Sequence, residues 1–233
     1  MGTAIRMDRV GRASVAPVRR VNRSLTAAAE KRALEWMAQR MPRWVTSDRL
    51  TALGLAAHIG AGTCYALTRW NRYWLLAACL CIALNWLGDS LDGTLARVRK
   101  CQRPRYGFYV DHAVDIFGSA ALMVGMALSG LVHAPVALAM LIAFLLLSAE
   151  SYLATHTLGC FEMSQAFFGP TEIRILLVIG NLALLRSPYS HLLGHTWLLF
   201  DVGGIIATTG MLAMALITAA RHTAELYRQE PLP

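Results

Sequence analysis

Four aspartates at helical spacing are the residues of this chain best placed to do chemistry. Asp89 and Asp92 lie in one apolar segment with Asn85, Gly93 and Ala96, related by steps of three and four, so the five share one stripe of a helix. Asp111 and Asp115 form an i, i+4 pair on one face of the next apolar segment. Carboxylates in or beside an apolar span are costly and normally face a polar cavity that serves ions or protons. Two opposed pairs would repel strongly in a low-dielectric setting unless something positive lay between them. Divalent metal is the simplest neutraliser. Hard oxygen ligands select Mg²⁺ or Mn²⁺ over zinc, and two such ions about 3.5 to 4 Å apart form a clamp for phosphoryl displacement. The competing explanation, pairing with Arg97, Arg99 or Lys100 at a solvated helix end, accounts for one or two acids but not for two opposed pairs.

The segments that carry these acids are membrane-like. Of 233 residues, 56% are hydrophobic and only 15% charged, yet the formal net charge is +8. An ordinary soluble domain has roughly 25% charged residues, so the basic charge sits on an oily polymer. A disordered basic tail is excluded and a nucleic-acid binder disfavoured. Apolar stretches at 50–68, 74–95, 109–132, 135–155, 171–185 and 197–220 predict six transmembrane helices in an all-α polytopic fold. The expected organisation is a basic cytoplasmic segment over 1–49, a membrane domain over 50–222 and a cytoplasmic tail over 223–233. Arginines crowd the N-terminal segment, and Arg97, Arg99, Lys100, Arg103 and Arg105 crowd the loop after the second span, so one cytoplasmic face satisfies the positive-inside rule for both. A bacterial inner membrane suits this arrangement. Within 24–41, Leu25, Ala28, Leu34, Met37 and Met41 line one side of a helix with Lys31, Arg32 and Arg40 nearby. That helix either lies in the interface against anionic lipid or docks on the protein. The Arg-rich, acid-poor N-terminus also suits a transit peptide. Five cysteines show no metal spacing and predict no disulfide.

Around the acids the small and basic residues add to the pattern. Gly93 and Ala96 remove bulk where a base or phosphate could approach the backbone, and Arg97 can bind phosphate oxygens in bidentate fashion. Taken alone, such small residues read equally well as helix-packing contacts. The full pattern is Asp89-x-x-Asp92-Gly93-x-x-Ala96-Arg97, nine residues, then Gly107-x-x-x-Asp111-x-x-x-Asp115. It resembles the signature of the CDP-alcohol phosphatidyltransferase family, with every fixed position filled. The segment 45–55 also resembles that family's entry into its first span, through Thr46, Leu50, Thr51 and Gly54. The resemblance implies an integral membrane enzyme, often a homodimer, that uses two divalent metals and releases CMP from a CDP-linked lipid donor. It implies Asp89, Asp92 and Asp111 as metal ligands, and Asp115 as both a metal neighbour and the general base that deprotonates an acceptor hydroxyl. Gly93, Ala96, Arg97 and Gly107 carry over as the nucleotide and phosphate surface.

The acceptor side is less specific. Glu150, His156, Glu172 and Arg174 fall at the ends of the fourth and fifth spans, and Arg221 ends the sixth. Relatives with a phosphorylated polar acceptor bind it with basic residues near these ends, which suits Arg174 and Arg221. The Glu-x-Tyr, His-Thr and GPTE elements instead resemble the choline and ethanolamine phosphotransferases, in which diacylglycerol is the acceptor. For the arginines, positive-inside anchoring is an equally good explanation. For Glu150 and His156 it is a local polar pair. His58, His112, His191 and His195 support no functional assignment. The leading expectation is transfer of a phosphatidyl group from CDP-diacylglycerol to a small alcohol. The alternatives are CDP-choline or CDP-ethanolamine as donor to diacylglycerol and, from another class, a cation transporter using the intramembrane acids. Transport sites tend to lie near the midplane on broken helices, whereas these acids cluster at one end.

Overall fold

Helix boundaries follow the punctuation of the sequence. The computed structural model describes residues 19–21, 27–158, 160–162, 169–192, 194–230 and 232. In chain order they form β1 (Arg19–Val21), α1 (Ala27–Arg40), α2 (Ser47–Leu67), α3 (Trp74–Val98), α4 (Pro104–Ser129), α5 (Ala134–Leu158), β2 (Cys160–Glu162), α6 (Pro170–Arg186), β3 (Tyr189–Leu192), β4 (His195–Leu198) and α7 (Leu199–Gln229). Thr46 caps α2 by accepting a 3.3 Å hydrogen bond from the Arg49 amide, and Asp48 in the first turn faces the positive end of the helix dipole. Between α3 and α4 the chain reverses through Lys100 in the left-handed region (φ 54), and Pro104 opens α4, where its missing N–H costs nothing. Gly130, at φ 75, ends α4.

The helix bundle is built on glycine contacts. A Cβ on Gly125 of α4 would lie 1.9 Å from the Gly62 carbonyl oxygen of α2, and one on Gly88 of α3 would lie 2.6 Å from the Leu50 oxygen and 2.7 Å from the Gly54 nitrogen. In lipid, where apolar side chains gain little by leaving the solvent, such close backbone approach is a principal source of helix association. A core of Tyr65, Leu75, Ala78, Ile82, Leu122 and Met126 fills the far half of the bundle. There the Tyr65 hydroxyl donates a 2.7 Å bond to Asn181 Oδ1, joining α2 to α6 with both residues fully buried.

Among the described residues five helices, α2, α3, α4, α5 and α7, are long and apolar enough to cross a membrane, and the protein is an integral membrane protein. The segment expected to be the fifth span forms the helix α6, whose 17 residues make it shorter than those five. At about 1.5 Å per residue it falls short of a hydrocarbon core of about 30 Å. The segment expected to be a simple connection after it, 186–195, is instead partly ordered as the antiparallel ribbon of β3 and β4, turning at Gly194 with φ 80. α7 starts at Leu199, two residues after the expected Trp197, and continues to Gln229, into the segment 223–233 expected to be a tail. Leu25 and residues 163–168 lie outside the described residues, as does most of the N-terminal basic segment.

α1 docks on the bundle. Leu34 and Ala38, 7% and 2% exposed, pack with Val45, Leu50, Leu91 and Leu95. The guanidinium of Arg99 fixes the connection to α2 by donating to the carbonyls of Met41 at 2.9 Å, Pro42 at 2.8 Å and Val45 at 2.5 Å.

Candidate active site

The site is assembled between α3 and α4, both of which pack on α2, at the end of the bundle that carries the basic connection. Asp89 projects from α3, and Asp111 and Asp115 from successive turns of α4. One carboxylate oxygen of each lies within 4.8 Å of the others. Three hard oxygen donors at this separation, from two helices held by glycine contacts, fit a divalent ion such as Mg²⁺ or Mn²⁺. Asp92, one turn from Asp89, lies outside this group. Its Oδ2 accepts a 2.5 Å bond from the Thr51 hydroxyl and its Oδ1 accepts from the Gly93 amide. Its backbone carbonyl accepts a 2.9 Å bond from the Ser47 hydroxyl. Each carboxylate oxygen retains a second lone pair, so these bonds orient Asp92 without consuming its capacity as a ligand.

Arg174 of α6 reaches this cluster. Its Nη2 pairs with Asp89 Oδ2 at 2.6 Å and its Nε donates to Asn85 Oδ1 at 3.0 Å. Asn85 is in turn anchored, its Nδ2 donating a 3.0 Å bond to the Gly54 carbonyl. The guanidinium is thus aimed by a fixed amide and a carboxylate on one stripe of α3. Behind it, His58 of α2 packs against Gly118 of α4, where any Cβ would lie 2.5 Å from the ring Nδ1. That Nδ1 is buried without a hydrogen-bond partner.

Space lies open on the outer side of the acids. A Cβ added to Gly107 would meet nothing within 4 Å, and one on Gly93 would meet only Arg97 Nη1 at 3.5 Å. Arg97 Nη2 donates to Thr94 Oγ1 at 2.8 Å, which directs the exposed guanidinium back along α3. Ala96 is half-buried between them. Phe108, His112 and Tyr152 form a ring cluster between α4 and α5, with centroid separations of 4.2 Å for Phe108 and His112 and 4.6 Å for His112 and Tyr152.

The remaining acceptor candidates are dispersed. Glu172 turns back on its own helix, Oε2 accepting a 2.9 Å bond from the Gly169 amide, so it caps α6. Glu150 pairs with His222 of α7 at 2.5 Å rather than with His156, which is exposed. Arg221, next to His222 in α7, is exposed. Asp89, Asp111, Asp115 and Arg174 are therefore brought together, while Glu150, His156 and Arg221 are not part of that cluster. Sequence reasoning missed Thr51 and Asn85 as the groups that aim Asp92 and Arg174. Both occupied positions in recognised stretches, but as neutral polar side chains they carried no charge signal.

Comparison with known proteins accords with this geometry. No curated protein matches the chain. Among solved structures it is similar to the phosphatidylinositol phosphate synthase of Mycobacterium tuberculosis crystallised with CDP-DAG bound, with a TM-score of 0.58, 20% identity, and coverage of 84% of this chain and 94% of that one. At that identity the likeness concerns the fold. The CDP-alcohol phosphatidyltransferase profile matches residues 44–220, an interval that contains every element from the α2 cap through most of α7. With more than half the chain matched and the aspartates of its two central helices converging, the protein belongs to the CDP-alcohol phosphatidyltransferase family of enzymes.

Proposed function

We propose that this enzyme transfers a phosphatidyl group from CDP-diacylglycerol to the hydroxyl of a small alcohol and releases CMP. The observation that carries the reading is the convergence of Asp89, Asp111 and Asp115 within 4.8 Å beside an open glycine-lined surface. Asp89, Asp92, Asp111 and Asp115 would hold two Mg²⁺ or Mn²⁺ ions. Bound there, the ions supply Lewis-acid polarisation of the donor's pyrophosphate oxygens. Gly93, Ala96 and Gly107 give the nucleotide close approach to the backbone, and Arg97 binds phosphate oxygens on which charge develops. Asp115 accepts the proton of the acceptor hydroxyl. The freed oxygen attacks the lipid-side phosphorus, and the bond to the CMP oxygen breaks.

Arg174 is the acceptor-side residue of this reading, because its guanidinium pairs with Asp89. The chain's six longest apolar helices, with α6 as the short member, form the membrane domain over 50–222. By the positive-inside rule the basic connection between α3 and α4 supports a site facing the cytoplasm, in a bacterial inner membrane by this reading, with the enzyme acting as a homodimer. α1 lies along the membrane interface, with its Trp36 and, in the connection after it, Trp44, 57% and 68% exposed, toward the headgroups.

The test is to incubate purified protein, Mg²⁺ and CDP-diacylglycerol with a panel of small alcohols, measuring CMP and identifying the lipid product by mass spectrometry. CMP release that requires one alcohol, with the matching phosphatidyl product, supports the reading. Transfer only from CDP-choline or CDP-ethanolamine to diacylglycerol would replace it.

A further inference from the structure

We infer that Glu30 of α1 is a positioning residue that clasps α6 to α3 and thereby aims Arg174 at the aspartate cluster. A single oxygen of Glu30, Oε1, accepts from Trp86 Nε1 at 2.8 Å, from Ser90 Oγ at 3.3 Å and from Thr171 Oγ1 at 2.8 Å. Trp86 and Ser90 belong to α3, whereas Thr171 lies in the first turn of α6. The carboxylate therefore bridges the same two helices as Arg174, which joins Asn85 and Asp89 of α3 from the same end of α6.

The register makes the two bridges adjacent rungs. Trp86 directly follows Asn85, Ser90 directly follows Asp89, and Thr171 precedes Arg174 by three residues, about one helical turn. A shift of the start of α6 that lengthened the Thr171 to Glu30 bond would move the Arg174 backbone with it. The first turn of α6 begins at Pro170, directly after Gly169, whose amide donates to Glu172 Oε2. α1 in turn is held by Leu34 and Ala38 against Leu91 and Leu95, so Glu30 is presented from a docked element and not from a free arm. An acid among Lys31, Arg32 and Arg40, which on composition alone reads as a solvated helix charge, is partly buried and spends its lone pairs inward.

The inference rests on the proposed transfer only for its kinetic arm. Glu30→Ala should raise the KM for the alcohol roughly tenfold, equivalent to about 1.4 kcal/mol, with less than about a twofold change in the KM for the CDP-linked donor. Glu30→Gln, whose amide oxygen still accepts, should recover most of that loss. In an Arg174→Met background the Glu30→Ala substitution should add less than about a twofold effect, since the two act as one unit. Hydrogen exchange of the intact protein in detergent supplies the arm that needs no transfer activity. Glu30→Ala should speed exchange across 170–176 about tenfold while leaving the α2 and α4 amides near Gly62 and Gly125 unchanged. Thr171→Val, which keeps shape and removes only the donor, should reproduce the local change and serves if Glu30→Ala fails to fold. Unchanged exchange at 170–176 in both variants, or equal losses toward donor and acceptor with additive double-variant kinetics, would overturn the inference. Local exchange that responds in a protein with no transfer activity would keep the clasp and remove the proposed reaction.

Discussion

Replacing Arg174 with methionine separates two effects that the geometry couples. The guanidinium is mostly buried, its side chain 14% exposed and that of Asp89 25%, and it uses an Asp89 oxygen that any divalent ion at this site would also want. At an effective dielectric near 20, opposite unit charges about 4 Å apart attract by roughly 4 kcal/mol, and a dication nearby would feel a repulsion of at least that order. Part of this is recovered by the second lone pair of the oxygen and by solvent, so we take about a third as the net effect. Methionine should therefore tighten Mn²⁺ binding at least tenfold, about 1.4 kcal/mol. Without metal the same substitution leaves three crowded carboxylates short of a counter-charge and removes charge-assisted bonds worth about 1.5 to 3 kcal/mol each, so the melting temperature should fall. The measurement is free Mn²⁺ by electron paramagnetic resonance, with thermal melts in detergent as metal is added. The variant should start lower and gain more. A Mn²⁺ affinity that is unchanged or weaker, in a variant whose helical signal is intact, would refute the idea that Arg174 competes with the ion and would make it a supporting neighbour of the ligand set instead.

Four other outcomes test separate parts of the site. Asp115→Asn should abolish CMP release while CDP with metal still raises the melting temperature; turnover near that of the wild type would remove Asp115 as the base. EDTA should stop transfer and Mg²⁺ or Mn²⁺ restore it, with metal-independent CMP release as the contrary result. CDP at about a hundred times its Kd should stabilise the metal-loaded protein by roughly 2.7 kcal/mol, and no shift in melting temperature at saturation would count against a nucleotide site. Gly125→Ala, which would set a Cβ 1.9 Å from Gly62 O, should cost at least about 1 to 3 kcal/mol as overpacking, whereas Gly107→Ala, meeting nothing within 4 Å, should leave the melting temperature unchanged and depress transfer.

The parts of this protein that could be read from the sequence are those where one physical demand dominates. Asp89, Asp111 and Asp115 were legible because a carboxylate in an apolar helix needs a reason, and helical spacing alone puts each pair on one face. The long spans were legible because a bilayer demands unbroken apolar length. What escaped depends on which helices touch. Nothing in the spacing of Glu30, Thr171 and Arg174 reveals that α1 and α6 both land on α3, 56 and 81 residues away by the Trp86 to Glu30 and Ser90 to Thr171 separations. The bounds of α6 were legible to within a residue of 171–185, but not what holds it, a buried Tyr65 to Asn181 bond at one end and Glu30 and Arg174 at the other. Leu184 packs into the apolar core near the end of α6, while the polar tethers at its start reach α3 at Trp86 and Ser90 through Glu30 and at Asn85 and Asp89 through Arg174. The element that departs furthest from membrane-span statistics is thus the one most tightly bound to the chemistry: the hydrogen bonds that hold α6 in place also fix where Arg174 can reach.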